Sequence, residues 1–154
     1  MLAQTTQSME PAQYIMLLSG IPASGKSTWA RNAVRSNENW KRVNRDELRK
    51  MLYCEQFNPK FEEMLTIVER NCVGALIVQG FNVIVDATHC KPKYIREWCE
   101  FVNQNLPSKV QVLIRRFDTP VEVCLQRNAQ RAEGERVPEW VIKRMYMSFK
   151  GMTL

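Results

Sequence analysis

The apolar positions of this chain switch repeatedly between strand-like runs and a helical period, and those switches mark out its elements. An apolar run at 14–19 predicts a buried strand. Beyond a glycine-containing turn, Trp29, Ala30, Ala33 and Val34 share one face of a helix that begins near Ser27. Residues 40–43 predict a short second strand, 46–52 a second helix and 54–60 a loop. From 61 to 79 a 3.6-residue period runs through Phe61, Met64, Leu65, Val68, Cys72, Ala75, Leu76 and Gln79 until Gly80 stops it. Residues 82–85 predict a third strand, ending in Asp86. Pro92 opens a helix carrying Tyr94, Ile95, Trp98, Cys99 and Val102, and 110–114 predict a fourth strand. Thr119-Pro-Val-Glu122 has the form of a capping box, with Val121, Cys124 and Leu125 turned to the core. Arg127 and Arg131 then stand one turn apart on another face, where both guanidinium groups can reach one anion. A polar loop at 132–137 precedes Pro138, which opens a last helix with Val141, Ile142, Met145 and Tyr146.

Strands alternating with helices predict an α/β fold. The expectation is a parallel sheet of about four strands covered by helices on both faces, with an arginine-bearing lid late in the chain. One domain over 13–154 behind a flexible tail at 1–12 accounts for the whole length. In such sheets ligands bind at the carboxyl ends of the strands, where the glycine turn, Asp46 and Asp86 all fall.

Composition narrows the setting. Twenty-two Lys and Arg against 16 Asp and Glu give a formal charge of +6, which suits an anionic partner. No apolar run has the length of a membrane span, and residues 1–10 lack the basic start and apolar stretch of a signal peptide. Cys54, Cys72, Cys90, Cys99 and Cys124 are odd in number, widely spaced and form no C-x-x-C pair. Reduced core thiols, and with them a cytoplasmic protein, are therefore expected.

The chemistry is concentrated in Gly20-Ile-Pro-Ala-Ser-Gly-Lys-Ser27, a G-x-x-x-x-G-K-[ST] phosphate-binding loop set between a strand and a helix. Its glycines let backbone N–H groups close around phosphates, and the helix N-terminus adds a positive dipole end. Lys26, expected as an exposed loop cation, would reach the β- and γ-phosphates of ATP, and the Ser27 hydroxyl would ligate Mg²⁺. Asp86, at a strand end beside this loop, either holds Mg²⁺ and steadies the loop or caps the next helix or turn. Asp46, twenty residues after Lys26, either takes a proton from an acceptor hydroxyl or caps a helix while pairing with Arg49. Arg127 and Arg131 either neutralise a transferring phosphoryl group or are ordinary surface charges. His89 is the sole histidine, which excludes a His-based triad or a multi-histidine metal site. It is expected to make a hydrogen bond beside the strand end.

Together these residues resemble the P-loop kinase domain of polynucleotide 5′-hydroxyl kinases over about 14–149. The likeness rests on Gly20-Ile-Pro-Ala-Ser-Gly-Lys-Ser-Thr28 continued by Trp29-Ala-Arg31, on Asn44-Arg45-Asp46 with Arg49, and on Asp86-Ala-Thr88-His89 with Pro92. Arg127 and Arg131 ahead of Val137-Pro138, with Met145-Tyr146 beyond, complete it. The resemblance implies transfer of the γ-phosphate of ATP, with Mg²⁺, to a 5′-OH end of DNA or RNA. It implies a donor site of Gly20, Ser24, Gly25, Lys26, Ser27, Thr28, Arg127 and Arg131, with Lys26 and Arg131 at the transferring phosphate. It implies Asp46 as general base, and Arg45, Arg49, Asp86 and Thr88 at the acceptor. His89 departs from the family's Asn, and the D-x-D-x-[TV] motif of the phosphatase in bifunctional members is absent, so kinase without 3′-phosphatase activity is expected. Two other readings fit a P-loop domain: a kinase of a small hydroxylated metabolite, and a nucleotide-binding regulator with little transfer activity. The basic set around Arg42, Arg45 and Arg49 favours a polyanionic acceptor over a small metabolite, and retention of Asp46, Arg127 and Arg131 argues against a regulator, which would not need them.

Overall fold

In the computed structural model, which describes residues 11–54 and 57–153, four parallel strands lie in the order β2-β3-β1-β4. They are β1 (Gln13–Ser19), β2 (Trp40–Asn44), β3 (Asn82–Asp86) and β4 (Val110–Arg116). Six α-helices connect and cover them: α1 (Lys26–Ser36), α2 (Arg45–Tyr53), α3 (Glu62–Val78), α4 (Pro92–Asn105), α5 (Val121–Ala129) and α6 (Glu139–Lys150). This is the expected α/β architecture. Residues 1–10 of the expected tail, and 55–56 of the expected loop, lie outside the described residues.

The pleat sorts the two inner strands onto two cores. Ile15, Leu17, Val83 and Val85 join one cluster with Leu65, Val73 and Ile77 of α3 and Ile95, Trp98 and Val102 of α4. Leu18 and Ile84, one residue out of phase, join Ala30 of α1, with Trp29, Ala33, Val34 and Phe117 around them. Registers Leu17↔Val85 and Leu17↔Ile114 bring β1, β3 and β4 to a common carboxyl edge. Asn44↔Asp86 extends that edge to β2.

Three expectations are corrected here. The stripe predicted on α3 is displaced: the buried positions are Leu65, Glu69, Val73 and Ile77, while Phe61, Met64, Ala75 and Gln79 are exposed. Apolar residues lie on exposed as well as buried sides of this helix, Ile67 and Val78 among them, so periodicity alone could not fix its phase, and a buried glutamate hid the true face. The hydroxyl of Thr119 caps no helix; it donates to the Ser24 carbonyl at 2.9 Å, and α5 begins after Pro120 without a side-chain cap. Finally, α5 ends at Ala129, so Arg131 lies in the following bend and does not share a helical face with Arg127. β4 also runs two residues past its predicted end, half-exposed as an edge strand.

Candidate active site

Between β1 and α1 the chain makes the phosphate loop, and its shape explains its residues. Gly20 has no room for a side chain: a Cβ there would sit 2.8 Å from Ser24 Oγ and 3.0 Å from Phe117 Cβ. Ala23 (φ 63°) and Gly25 (φ 96°) both adopt left-handed backbone, which Gly25 takes without strain and Ala23 does not. Two side chains pin the loop from outside, Thr119 at Ser24 O and Arg127 Nη1 at Ala23 O, 3.4 Å away. The first helical bond of α1, Trp29 N to Gly25 O, leaves the N–H groups of Lys26, Ser27 and Thr28 without a helical acceptor. They constitute the positive end of the helix dipole.

Lys26 is not the exposed cation anticipated. It is 7% accessible, because its Nζ folds back onto Ile21 O at 2.7 Å and Ser24 Oγ at 3.2 Å. Burial pulls its ammonium down to about 8; the negative charge of Asp86 works against that pull and Arg131 reinforces it. Lys26 thus feels the charges of both Asp86 and Arg131. An ammonium held so far below its ordinary value is short of anionic partners, and phosphate oxygens supply them.

Beside the loop, Ser19 Oγ donates to His89 O at 2.9 Å, and His89 Nδ1 lies 2.8 Å from Leu18 O. The Gly20 N–H donates to Thr88 O at 2.9 Å. This segment thus buttresses the base of the loop. The expected hydrogen bond of His89 is present, and burial holds the ring neutral, its pKa lowered to about 4. Burial likewise pushes the Cys90 thiol up to about 11 and raises that of Cys124. All five cysteines are free thiols; Cys90 and Cys124 are buried and Cys54 is exposed.

Asp86 is 2% accessible and its Oδ2 is heavily engaged. Asn44 Nδ2 donates to it at 2.9 Å, Arg42 Nε at 2.8 Å, and Arg42 Nη2 lies at 2.7 Å. Asn44 carries part of the family likeness and Arg42 reads in the sequence as one of a basic set, yet neither position announces that it holds Asp86. Asn44 does two jobs: its Oδ1 accepts from Glu47 N at 2.8 Å as the N-cap of α2, while its amide grips Asp86. The alternative of Asp46 as the cap is thereby corrected. An Asn-x-x-Glu pattern at 44–47 was the available signal.

On α2 the side chains form a ladder of ion pairs against α3. The Asp46 side chain is 75% accessible and receives Arg49 Nη1 at 2.6 Å. Arg49 is itself gripped from behind, Nε to Glu62 Oε1 at 2.9 Å and Nη2 to Glu62 Oε2 at 2.8 Å. Burial opposes the Glu62 charge, yet the bonds from Arg49 and Arg45 outweigh it and hold this carboxyl below its ordinary range. Arg45 points inward: Nη1 reaches Glu69 at 2.7 Å, and Nη2 reaches Glu62 Oε2 and Thr66 Oγ1 at 3.1 and 2.9 Å. The Glu69 side chain is only 4% accessible, and burial raises its carboxyl despite Arg45. Arg42 is similarly engaged, pairing with Glu47 at 2.8 Å as well as with Asp86. Of the basic set read from the sequence, Arg42 and Arg45 are thus neutralised within the protein, and Arg49 is paired with both Asp46 and Glu62. Glu62 and Glu69 went unnoticed because their partners lie 13 to 24 residues away, beyond any local pattern.

The lid follows α5. Asn128, 4% accessible, clamps it from both sides, donating to Val137 O at 2.8 Å and accepting from Val137 N at 3.0 Å. Arg136 Nε donates to Arg131 O at 2.8 Å, tightening the turn that presents Arg131. Across the cleft, Lys50 of α2 meets Glu135 at 3.0 Å.

Among the described residues no cluster of three or more His, Cys, Asp or Glu side chains could hold a metal ion, and no helix is long and apolar enough to cross a membrane. The oxygens near the loop, the Ser27 hydroxyl and the Asp86 carboxylate, are hard donors of the type Mg²⁺ takes from a protein when phosphates and waters complete its shell.

A strand, a glycine loop and a buried loop lysine at the carboxyl edge of a parallel sheet define a P-loop nucleotide-binding domain of the kinase type. Residues 15–152 match the family model described as an AAA domain, and the chain belongs to that family. It resembles the L-seryl-tRNA(Sec) kinase of Methanococcus maripaludis, at 26% identity over 88% of this chain and 52% of that protein. It also resembles an Autographa californica nuclear polyhedrosis virus protein that carries the name bifunctional polynucleotide kinase/RNA ligase, at 24% identity over 94% of this chain and 22% of that protein. In three dimensions it superposes on a chain of the Pnkp1/Rnl/Hen1 RNA repair complex with a TM-score of 0.81 and 30% identity, over 94% of this chain and 46% of that one. The chain therefore spans about half the length of these relatives or less.

Proposed function

We propose that this chain transfers the γ-phosphate of ATP to the 5′-hydroxyl end of DNA or RNA. The observation that carries this reading is the row Asp46, Arg49, Glu62: an exposed carboxylate oriented by a guanidinium that two further bonds hold in place. A hydroxyl arriving at Asp46 meets a base whose direction is already set, and Arg49 lies where the neighbouring phosphate of a nucleic acid can bind. The likeness to a viral protein named polynucleotide kinase/RNA ligase, and to a chain of an RNA repair complex, supports a nucleic-acid acceptor.

In this reading the loop amides and the first turn of α1 hold the donor phosphates, with Gly20, Gly25 and Ser24 setting the loop's shape. Lys26 swings from Ile21 O onto the β- and γ-oxygens. Arg127 steadies the loop at Ala23, and Arg131 neutralises charge on the transferring group. Ser27 and Asp86 would hold Mg²⁺, which would supply charge neutralisation at the donor phosphates. Asp46 takes the 5′-hydroxyl proton as that oxygen bonds to the γ-phosphorus, and the bond to the β–γ bridging oxygen breaks to release ADP. Arg45, engaged with Glu62 and Glu69, acts on the acceptor by fixing α2 on α3. Thr88 acts through its carbonyl beneath Gly20.

The test is incubation with γ-labelled ATP, Mg²⁺ and a panel of 5′-OH oligonucleotides, nucleosides and small hydroxyl compounds. Label on oligonucleotide 5′ ends, with an acceptor KM that climbs as salt rises, is expected from phosphate contacts. A second reading rests on the similarity to L-seryl-tRNA(Sec) kinase, in which Asp46 would serve a hydroxyl on a different carrier. Label on the seryl hydroxyl of a seryl-tRNA added to the panel, with oligonucleotide 5′ ends left unlabelled, would select it. Label on a small hydroxyl compound with no salt dependence would point instead to a metabolite kinase.

A further inference from the structure

Phe57 is an apolar ring that is 66% accessible. Its centroid lies 5.7 Å from the Arg49 guanidinium carbon, within the range of a cation–π contact. The same guanidinium touches Asp46 at 2.6 Å. Met51 of α2 is also exposed, and Phe61 is half-exposed against Tyr53, with ring centroids 5.1 Å apart. One arginine therefore joins the carboxylate proposed to receive the hydroxyl to a bare aromatic surface.

Building on the function proposed above, we propose that Phe57 is the platform on which the second nucleobase of the acceptor strand stacks. The order of contacts follows the order of groups along a nucleic acid. A 5′-hydroxyl at Asp46 is followed by the first internucleotide phosphate at Arg49, and the next flat group after that phosphate is the second base. Every base presents a π-face, so an exposed ring offers affinity without choosing a sequence. A protein partner is the poorer occupant. Anything that covers Phe57 comes within a few ångströms of Arg49 and closes the approach to Asp46.

Two acceptors separate the contributions. A nucleoside 3′-phosphate carries the hydroxyl and the phosphate but no second base, whereas a dinucleotide carries all three. The wild-type chain is expected to use the dinucleotide with the higher kcat/KM. Phe57→Ala should shrink the ratio of the two kcat/KM values roughly 5- to 100-fold, the range found for losing one stacked base. Phe57→Trp should keep the ratio. Phe57→Leu, which still covers Arg49 but has no π-face, should lose most of it. A dinucleotide with 2-aminopurine as its second base gives a readout independent of turnover, since stacking on Phe57 quenches its fluorescence on binding and Phe57→Ala should abolish the quench. A ratio and a quench that Phe57→Ala leaves as they are, in a chain that phosphorylates both acceptors, would overturn the platform and leave the kinase reading standing. Full retention by Phe57→Leu would also overturn it, showing that only cover over Arg49 matters. If the wild type phosphorylates neither acceptor, the kinase reading falls and the platform with it.

Discussion

Around the phosphate loop the working groups are backbone amides, two left-handed residues and one buried ammonium, all within eight consecutive positions. On the α2–α3 face they are side chains, paired across 13 to 24 residues of sequence and partly open to water. The first region takes its shape from local geometry, and Thr119, Arg127 and Thr88 only brace it from outside. The second exists only once α2 has docked on α3, because Asp46 is aimed by Arg49 and Arg49 by Glu62. A loop of amides serves any phosphate, so it carries the reaction class. A ladder of ion pairs can be rebuilt around another acceptor, so in the proposed function it is the part that would carry the choice of substrate.

The sharpest way to separate the two regions is Asp46→Asn. Asp46 is exposed and buries nothing, so the fold should be untouched. As the proposed general base, its loss should lower kcat on the order of 10²–10⁴-fold with ATP affinity unchanged. Collapse of ATP binding with normal residual turnover would move Asp46 to the donor side.

Next is Arg45→Ala, which strands Glu69 in the core. Breaking a buried pair of this kind costs about 3–5 kcal/mol. The prediction is a large fall in urea midpoint, with Glu69 and Arg45 replaced together costing much less than Arg45 alone. An undisturbed midpoint would show that α2 is not held through this pair.

Lys26→Ala tests the loop. The expected loss in kcat is on the order of 10²–10³-fold, as for removal of one preorganised charge donor. Because Lys26 is buried with its pKa lowered to about 8, its removal should leave thermal stability close to that of the wild type. Near-normal turnover in this variant would break the assignment of the loop.

His89 gives a pH prediction. Its folded pKa of about 4 lies below the ordinary 6.5, so between those values the unfolded chain binds a proton that the native protein refuses. Stability should therefore rise with pH across 4 to 6.5 and be lost as pH falls, by up to about 3 kcal/mol. His89 sits at φ 35°, a conformation asparagine tolerates well. His89→Asn should fold and flatten this slope in denaturation curves taken at pH 5 and 7.5.

The smallest effect expected is in the lid. Arg131→Ala should depress kcat more than Arg127→Ala, because the charge of Arg131 bears on the loop lysine while Arg127 rests on Ala23 O. Arg131→Lys should stay roughly 10-fold short of wild type, since an ammonium cannot reproduce a planar fork. Full rescue by lysine would mean that diffuse charge suffices.

What the sequence by itself determined is the part written in short-range chemistry. The apolar runs at β1 and β3, the proline that opens α4 and the spacing of Gly20, Gly25 and Lys26 act over a few residues, where sterics and hydrogen bonding leave few alternatives. Tertiary structure alone decided how charge was spent. It buried Lys26, turned Thr119 from a cap into a brace for the loop, and moved Arg131 off α5. It also set Glu69 inside the core, on a helix whose apolar residues lie on exposed as well as buried sides, so that its period does not reveal the face. Arginines that look like one basic patch in the sequence were divided by their partners, Arg42 to Asp86, Arg45 to Glu69, and Arg49 to Asp46 and Glu62. The physical reason is that an ion pair depends on distance in space and on desolvation, and neither is fixed until the helices have packed.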